Sequence, residues 1–309
     1  MRKQELNSEM KAVPSASTDV PMARSPFRMI AIDLDGTLLS PSGKVTPRTR
    51  QGIHKARSHG LKICFATGRN LTESRSVLKD VDHHDAAVFV GGAMVIDPAT
   101  NLTMHRTLLP HELAAELCEA LEARGHAVLA LQDTYAAGVD YFVSHDFPLN
   151  AATDHWLKVT SATVKRLPRL TGVRHEHTVR IGIVAPRGEA TELQKEIVER
   201  FGNRIFCLVL KVPAAGVDVL EVFDASVNKW AGVMTIARRH GITAEQIIAV
   251  GDDVNDVPMF KHAGLALAMG QASDEVKQQA HRVIASNRED GLAQFLEEFV
   301  ASHVAIEAA

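Results

Sequence analysis

Short apolar runs alternate with longer amphipathic stretches along most of the chain. Each apolar run has Gly, Asp, Asn or Thr at or near its end, as expected where a buried strand enters a loop. Residues 47–60, between the first two runs, have the pattern of a helix closed by Gly60. The alternation predicts an α/β fold with an open parallel sheet and crossover helices. The apolar runs lie at residues 29–35, 61–69, 86–97, 247–253, 265–270 and 282–287.

A long segment with a different pattern interrupts this alternation. Residues 110–125 and 189–202 carry apolar side chains four positions apart and end in glycine, which indicates two amphipathic helices. Strand-like runs at residues 126–132 and 177–184 border them. We therefore expect an inserted α+β domain, with an open sheet and helices on one side of it, placed over the main sheet.

These patterns divide the chain into three parts. Residues 27–107 and 213–309 form the predicted core domain, and residues 108–212 form the insertion. Residues 1–26 mix charged residues with Ser and Pro and lack an apolar signal core, which is typical of a disordered tail.

The amino-acid composition argues against several classes of binding partner and of metal site. The 34 basic and 37 acidic residues give a formal charge of -3 and form no basic block, so nucleic acid is not expected to bind. No run approaches the length of a membrane helix, and we expect a cytoplasmic protein without a membrane partner. Cys64, Cys118 and Cys207 are far apart in apolar or helical runs, which indicates reduced packing residues rather than a thiolate metal site.

Polar side chains follow the predicted strands where the strands end. The first strand ends in Asp33 and Asp35, the second in Thr67, and the fourth in "GDDVND" at residues 251–256, which contains Asp252 and Asp256. If these strands are neighbours, their carboxylates converge, and a cation must offset their repulsion. Oxygen ligands favour Mg²⁺, and the absence of histidines at ligand spacing counts against zinc.

Such a site suits a substrate that brings its own anionic oxygens, and phosphate is the obvious one. Thr67 can donate its hydroxyl group, with Gly68 next to it. Gly36 and Thr37 can offer backbone amides in a tight turn, and Lys229 begins a helical stretch. These groups are the candidates for holding phosphoryl oxygens.

Each candidate also has a purely structural interpretation. Asp33 and Asp35 could be solvated turn residues, Lys229 a solvated helix lysine and Asp252 a helix cap. Their shared position at predicted strand exits and helix starts favours the functional interpretation. Arg69 could belong to the site or to a surface salt bridge. Three aromatic residues of the insertion could line a substrate pocket or be buried in its core: Tyr135, Tyr141 and Trp156.

Four separated motifs resemble those of haloacid dehalogenase-like phosphatases in order and spacing: "DLDGT", "ATGR", the lysine of "VNKW" and "GDDVNDVPM". The later "AMGQASDEVKQQA" and "SNREDG" are similar to the Cof-type branch, subfamily IIB. The resemblance covers residues 27–295 and implies a doubly wound, Rossmann-like core with a C2B-type α+β cap after the third strand. One departure is Gly91, where Cof-type members commonly have Asn, and it puts a substrate contact in doubt.

The resemblance implies a role for each matching carboxylate. Asp33 would attack phosphorus and form an aspartyl phosphate. Asp35 would protonate the departing alkoxide and then take a proton from the hydrolytic water. Magnesium would be held by the Asp33 carboxylate, the Asp35 backbone carbonyl and the Asp252 carboxylate.

The same resemblance assigns two supporting residues and a function. Asn255 would contact phosphate or substrate, and Asp256 would orient Lys229 or a metal-bound water. The expected function is a Mg²⁺-dependent phosphatase of small phosphorylated metabolites such as sugar phosphates. Two alternatives stay open: a phosphomutase or phosphotransferase on the same fold, and a non-catalytic phosphometabolite-binding protein.

Overall fold

The computed structural model describes residues 27–159, 162–212 and 215–307. The predicted disordered tail at residues 1–26 lies outside these ranges. Within them, none of the helices combines the length and the apolar character that crossing a membrane requires.

Strands and α-helices alternate through the described ranges. The strands are β1 (Met29–Ile32), β2 (Lys62–Phe65), β3 (Ala87–Phe89), β4 (Met94–Ile96), β5 (Thr103–Arg106), β6 (Leu129–Gln132), β7 (Tyr141–Ser144), β8 (Val164–Leu167), β9 (Thr178–Pro186), β10 (Ile205–Val212), β11 (Val217–Asp224), β12 (Ile247–Gly251), β13 (Leu265–Ala268) and β14 (Arg282–Val283). The helices are α1 (Pro47–Ser58), α2 (Leu71–Asp80), α3 (His111–Glu122), α4 (Thr134–Ala137), α5 (Ala151–Val159), α6 (Glu189–Phe201), α7 (Lys229–Arg239), α8 (Val257–Phe260), α9 (Asp274–Lys277) and α10 (Gly291–Glu307).

The core sheet is parallel, with the strand order β14-β13-β12-β1-β2. Strand β1 lies between β12 and β2 and pairs with both. A parallel bridge between Ala66 and Val88 places β3 beyond β2. The predicted α/β fold with an open parallel sheet is therefore confirmed.

Both faces of this sheet are covered, which makes the core doubly wound. Ile30 and Ile32 pack into an apolar cluster that includes side chains of α1 and α10. Met29 and Ala31, which point to the opposite face, pack with side chains of α7 and α8. This two-sided burial explains why the strand reads as a continuous apolar run rather than an alternating one.

The predicted third strand is wrong as a single element. Its residues form β3 and β4, which pair antiparallel, and β5 joins them in a three-stranded sheet. The chain reverses at Val90–Gly92, where all three residues have positive φ, at 54°, 65° and 107°. Gly91 and Gly92 adopt such values readily, whereas the β-branched Val90 does so at a steric cost. The insertion follows this small sheet.

The insertion contains a six-stranded sheet in the order β10-β11-β9-β6-β7-β8, which confirms the predicted α+β composition. Helices α3 and α6 pack their apolar side chains on one face of it. The prediction of helices on one side alone is incomplete, because Trp156 of α5 packs edge-on against Tyr141, with ring centroids 5.4 Å apart. Tyr141 belongs to the apolar cluster on the core side of the sheet.

The pairing of strand β11 shows that the insertion ends later in the chain than predicted. It pairs antiparallel with both β9 and β10, so it belongs to the sheet of the insertion. By sheet membership the insertion ends after Asp224, and the predicted limit at residue 212 is too early. The sequence of residues 217–224 gives no local sign of which sheet this strand joins, because pairing partners are set by tertiary structure.

Candidate active site

The candidate residues lie where the carboxyl ends of the central strands meet. Asp33 directly follows β1, and its backbone N–H donates to the Val250 carbonyl oxygen of β12 at 3.1 Å. Asp252 directly follows β12, and Thr67 comes two residues after β2. Because these strands are parallel neighbours, their carboxyl ends place the three residues at one edge of the sheet.

Lys229 is a buried cation between two carboxylates. Its Nζ lies 2.6 Å from Asp33 Oδ1 and 2.7 Å from Asp256 Oδ1, and the residue is only 1% exposed. Lys229 is the first residue of α7, and the Asn228 side chain caps this helix by accepting from the Ala231 N–H at 2.9 Å. Gly92 permits the close packing, since a Cβ there would lie 2.0 Å from the Asn228 carbonyl oxygen.

Asp256 fixes the loop that carries Asp252. Its Oδ2 accepts from the backbone N–H groups of Asp252 at 2.9 Å and Asp253 at 3.1 Å. Gly251 makes room for it, because a Cβ at that position would lie 2.3 Å from the Asp256 carboxyl group. Asp256 therefore ties Lys229 and the Asp252 loop together.

An acidic cluster surrounds Lys229. One carboxylate oxygen each from Asp33, Asp252 and Asp256 lies within 4.8 Å of the others. The cluster includes two of the predicted metal ligands and adds Asp256. The Asp35 carboxylate is not part of it, and the predicted role of the Asp35 backbone carbonyl stays a prediction. Donors that are all hard oxygens fit Mg²⁺ better than zinc.

Burial shifts the pKa values of these groups. It raises the pKa of Asp33 well above its usual value, although the nearby Lys229 ammonium opposes this effect. Burial, with Asp256 adding to it, raises the pKa of Asp252 to about 6. For Lys229 burial acts against the charge, but Asp256 and Asp33 outweigh it and raise its pKa. One ammonium group among three carboxylates leaves negative charge that favours a further cation.

Asp35 is paired with Arg69. Arg69 Nε donates to Asp35 Oδ2 at 2.8 Å, and a second guanidinium nitrogen donates to Oδ1. The hydrogen bonds to Asp35 raise the pKa of Arg69. The Asp35 side chain is 57% exposed and lines the cavity described below. The two interpretations of Arg69 that the sequence left open are both correct, since its salt bridge is made with a candidate site residue.

The turn after Asp33 packs closely against Asp252. Gly36 has φ +81°, and a Cβ there would lie 2.0 Å from Asp252 Oδ2. Thr37 Oγ1 donates to Asp252 Oδ1 at 3.3 Å. Gln271 Nε2 donates to the Gly36 carbonyl oxygen at 2.6 Å and to Asp252 Oδ2 at 3.2 Å. Sequence reasoning missed Gln271, although it lies in the quoted "AMGQAS" stretch. The predicted phosphate contacts of Gly36 and Thr37 stay predictions.

The side-chain oxygen of Thr67 has a hydrogen-bond partner, whereas that of Asn255 has none among the described residues. Thr67 is 1% exposed, and its Oγ1 accepts from the Arg69 N–H at 3.1 Å. The Asn255 amide oxygen is buried and has no hydrogen-bond partner among the described residues. Asn255 and Gly68 are both among the residues that line the cavity described next.

A cavity of about 900 Å³ separates the strand ends from the insertion. Asp33, Asp35 and Asn255 line its core side, and residues of β9, β11 and α5 line the side formed by the insertion. The remaining candidates are not among the described lining residues: Gly36, Thr37, Thr67, Lys229, Asp252 and Asp256. Gly91, the departure noted above, is not among them either, whereas Tyr141 and Trp156 are.

Comparison with known proteins identifies the family. The family model described as haloacid dehalogenase-like hydrolase (Hydrolase_3) matches residues 30–296. The chain belongs to this family. The expectation of a haloacid dehalogenase-like phosphatase agrees with this match and with the names of the relatives.

Relatives of this hydrolase match along nearly their whole length. The 5-amino-6-(5-phospho-D-ribitylamino)uracil phosphatase YitU of Bacillus subtilis is 30% identical over 286 residues, covering 90% of this chain and 99% of the relative. An HMP-PP phosphatase of Yersinia enterocolitica is 25% identical over 279 residues, covering 89% of this chain and 96% of the relative. The fold matches the crystal structure of a haloacid dehalogenase-like hydrolase from Bacteroides thetaiotaomicron at a TM-score of 0.74 and 22% identity, covering 88% of this chain and 99% of that one.

Proposed function

We propose that this haloacid dehalogenase-like hydrolase is a Mg²⁺-dependent phosphatase of small phosphorylated metabolites that works through an aspartyl phosphate on Asp33. The observation that carries the proposal is the Asp33 carboxylate, which lines the cavity and is held at 2.6 Å by the buried Lys229 ammonium. The names of the relatives above, which are phosphatases of small organic phosphates, support it.

In the first step an Asp33 carboxylate oxygen attacks phosphorus. A bond forms between Asp33 and phosphorus while the bond from phosphorus to the ester oxygen breaks. Asp35, once protonated, gives its proton to the departing alkoxide. Because Arg69 binds both oxygens of Asp35 in this structure, Asp35 must exchange this partner for the leaving group during the step.

In the second step water cleaves the aspartyl phosphate. Asp35 takes a proton from that water, whose oxygen attacks phosphorus and releases Asp33 as a carboxylate. Lys229 stays bound to Asp33 through both steps and offsets its charge, while Asp256 keeps Lys229 in position. The two steps together return the enzyme to its starting state and release one phosphate.

The oxygen cluster fits a magnesium ion, which Asp33, Asp252 and the Asp35 backbone carbonyl would hold. When bound, such an ion neutralises charge and lets a carboxylate approach an anionic ester. We assign the phosphoryl oxygens to five further residues that surround the cluster: Gly36, Thr37, Thr67, Gly68 and Asn255. Asn255 would contact a phosphoryl oxygen through its amide N–H, while its buried amide oxygen, which has no hydrogen-bond partner among the described residues, can accept only from a donor such as a substrate hydroxyl group.

The test is a phosphate-release screen over phosphorylated metabolites, with and without Mg²⁺. Wild-type protein should release phosphate only with the metal, and ³²P from a labelled substrate should be trapped on the protein after acid quenching. Asp33→Asn should abolish both, whereas Asp85→Asn, which changes an exposed aspartate, should retain both. Phosphoenzyme formation by Asp33→Asn would reject this nucleophile.

The same screen separates the alternatives. In ¹⁸O-labelled water a phosphatase places ¹⁸O in the released phosphate, whereas a mutase or phosphotransferase moves the group to another hydroxyl without label. Absence of both phosphate release and phosphoryl transfer with every compound would leave a phosphometabolite-binding protein as the explanation. A cytoplasmic location and the lack of nucleic-acid and membrane partners stay predictions from composition.

A further inference from the structure

The insertion contributes a buried ion pair to the wall of the cavity. Arg180 of β9 pairs through its guanidinium group with the Glu221 carboxylate of β11, and the two residues are 9% and 5% exposed. In the antiparallel pairing of these strands Glu221 lies opposite Gly182, two positions from Arg180, so both side chains stand on one face of the sheet. Both residues line the cavity.

A chain of contacts connects this pair to the core domain. A second Arg180 nitrogen donates to the Tyr141 hydroxyl oxygen at 3.0 Å, and Asn70 Nδ2 donates to the same oxygen at 3.3 Å. Asn70 caps α2 together with Glu73, whose side chain accepts from the Asn70 N–H at 2.9 Å. Asn70 directly follows Arg69, the partner of Asp35. The ion pair is thus held in place from both sides of the cavity.

The charges immediately around Arg180 do not favour an additional anion. Glu73, which is half-buried, lines the same cavity and interacts electrostatically with Arg180 and with Glu221. One guanidinium group therefore faces two carboxylates, so its positive charge is already more than compensated. Its remaining N–H groups can still donate to a neutral oxygen, and the carboxylates can accept from hydroxyl groups.

A contribution to the stability of the fold does not explain why Arg180 and Glu221 form an ion pair at this buried position. Removing two charges from water costs free energy that a buried ion pair barely recovers, and well-packed apolar side chains commonly serve a fold as well or better. Val184 on β9 and Val219 on β11, which line the cavity from the same sheet face as the pair, are apolar, so the pair interrupts an apolar wall. A polar pair at this position is what recognition of a polar ligand requires.

We propose that Arg180 and Glu221 determine specificity by selecting a neutral leaving group with hydroxyl or carbonyl oxygens and by discriminating against a leaving group with a second negative charge. This inference rests on the proposed phosphatase function. The Arg180 guanidinium donates to an oxygen of the leaving group, and Glu221 accepts from a neighbouring hydroxyl. A carboxylate or second phosphate in the same position meets the carboxylates of Glu221 and Glu73 at low dielectric, where like charges repel strongly.

Two substrates that differ in one group test the proposal. Sorbitol 6-phosphate ends in a neutral hydroxymethyl group, where 6-phosphogluconate has a carboxylate. For the wild-type enzyme with Mg²⁺ we expect kcat/KM to be at least about 10-fold higher for sorbitol 6-phosphate. Equal values, or a preference for 6-phosphogluconate, would overturn the inference. Acetyl phosphate, whose leaving group has no hydroxyl, is the reference substrate: hydrolysis of acetyl phosphate alone would overturn the inference, whereas no phosphate release from any compound of the metabolite screen would overturn the proposed function.

Variants connect the preference to the ion pair. Glu221→Gln removes one negative charge with little change of shape, and we expect the ratio of the two kcat/KM values to fall at least about fivefold. Glu122→Gln is the matched control, because Glu122 is a buried glutamate of the insertion that accepts from Leu170 N and Thr171 Oγ1 and is not among the described cavity residues. It should leave the ratio unchanged.

The ratio also distinguishes specificity from a structural role. General damage to the insertion lowers kcat/KM for both substrates to a similar extent. Loss of discrimination changes kcat/KM for one substrate relative to the other. Arg180→Lys keeps the charge but loses the planar fork, so KM for sorbitol 6-phosphate should rise more than kcat falls. An unchanged ratio in Glu221→Gln would overturn the role of the pair. If that variant does not fold by circular dichroism, the same ratio measured for Arg180→Lys decides, and an unchanged ratio there would overturn the role of the pair.

Discussion

The Nζ atom of Lys229 lies 2.6 Å from Oδ1 of Asp33, although 196 positions separate the two residues in the chain. Both side chains are buried, and a second carboxylate, Asp256, holds the other side of the ammonium group. Burial alone would favour the protonated form of Asp33, and a protonated carboxyl group is a poor nucleophile. The Lys229 contact opposes this effect of burial and so favours the charged form of Asp33 that the proposed attack requires.

Replacing Lys229 tests this relationship. Lys229→Met leaves Asp33 and Asp256 buried without their cation, so we expect a loss of about 3 kcal/mol in the free energy of unfolding. We expect kcat to fall by about 10² to 10³ as well. Urea denaturation and steady-state kinetics measure the two effects. Adding Asp33→Asn to Lys229→Met should restore part of the stability but none of the activity, and a further loss of stability would contradict the assigned pairing.

The role of Asp35 depends on the leaving group. Asp35→Asn cannot donate a proton, so hydrolysis of alkyl phosphates should fall by about 10² to 10⁴ in kcat. Aryl phosphates should lose much less, because a phenolate leaves without protonation. The measurement is kcat for one alkyl and one aryl phosphate in wild type and variant. Equal losses on both substrates would argue against Asp35 as the general acid.

Gly36 can be tested against a glycine of similar conformation. A Cβ at Gly36 would lie 2.0 Å from Asp252 Oδ2, whereas Gly43, with φ +71°, has nothing within 4 Å of its Cβ position. Both alanine variants pay the cost of a positive φ, about 1 kcal/mol. Gly36→Ala should in addition displace Asp252 and weaken divalent metal binding by about 10-fold or more. Manganese binding followed by electron paramagnetic resonance measures this, and equal affinity in the two variants would contradict the close packing.

His83 should make the fold sensitive to acid. It is buried, with its ring 4.7 Å from that of Phe65, and burial lowers its pKa to about 4. The unfolded chain binds a proton at this residue near pH 6.5, so stability is complete above that pH and decreases as the pH falls toward 4. The loss amounts to at most about 3 kcal/mol.

Urea denaturation at pH 7.5 and at pH 4.5 measures this contribution. His83→Phe removes the titrating group and should reduce the difference in unfolding free energy between the two pH values. His84→Phe is the control, because the neighbouring His84 side chain is 73% exposed. If both variants keep the wild-type difference, His83 is not responsible for the acid sensitivity.

Local pattern determined much of the fold and of the site. Fully apolar runs predicted the parallel strands because a strand buried on both faces has no polar side, and the residues after those runs had to lie at the carboxyl edge of the sheet. Asp33, Asp252 and Thr67 were located in this way. The start of α7 at Lys229 likewise follows from Asn228, a residue type that caps helices through its own side chain.

Tertiary structure decided which groups meet. Arg69 pairs with Asp35, Gln271 binds Asp252, and Arg180 shares a sheet face with Glu221, yet none of these partners is marked by the sequence around it. The split of the third strand depended on positive φ at Val90, and the pairing of β11 depended on register with β9. The spacing of apolar residues along a helix or strand indicates which of its faces is buried. Hydrogen bonds and charges act between elements, and their partners are set only when the elements pack.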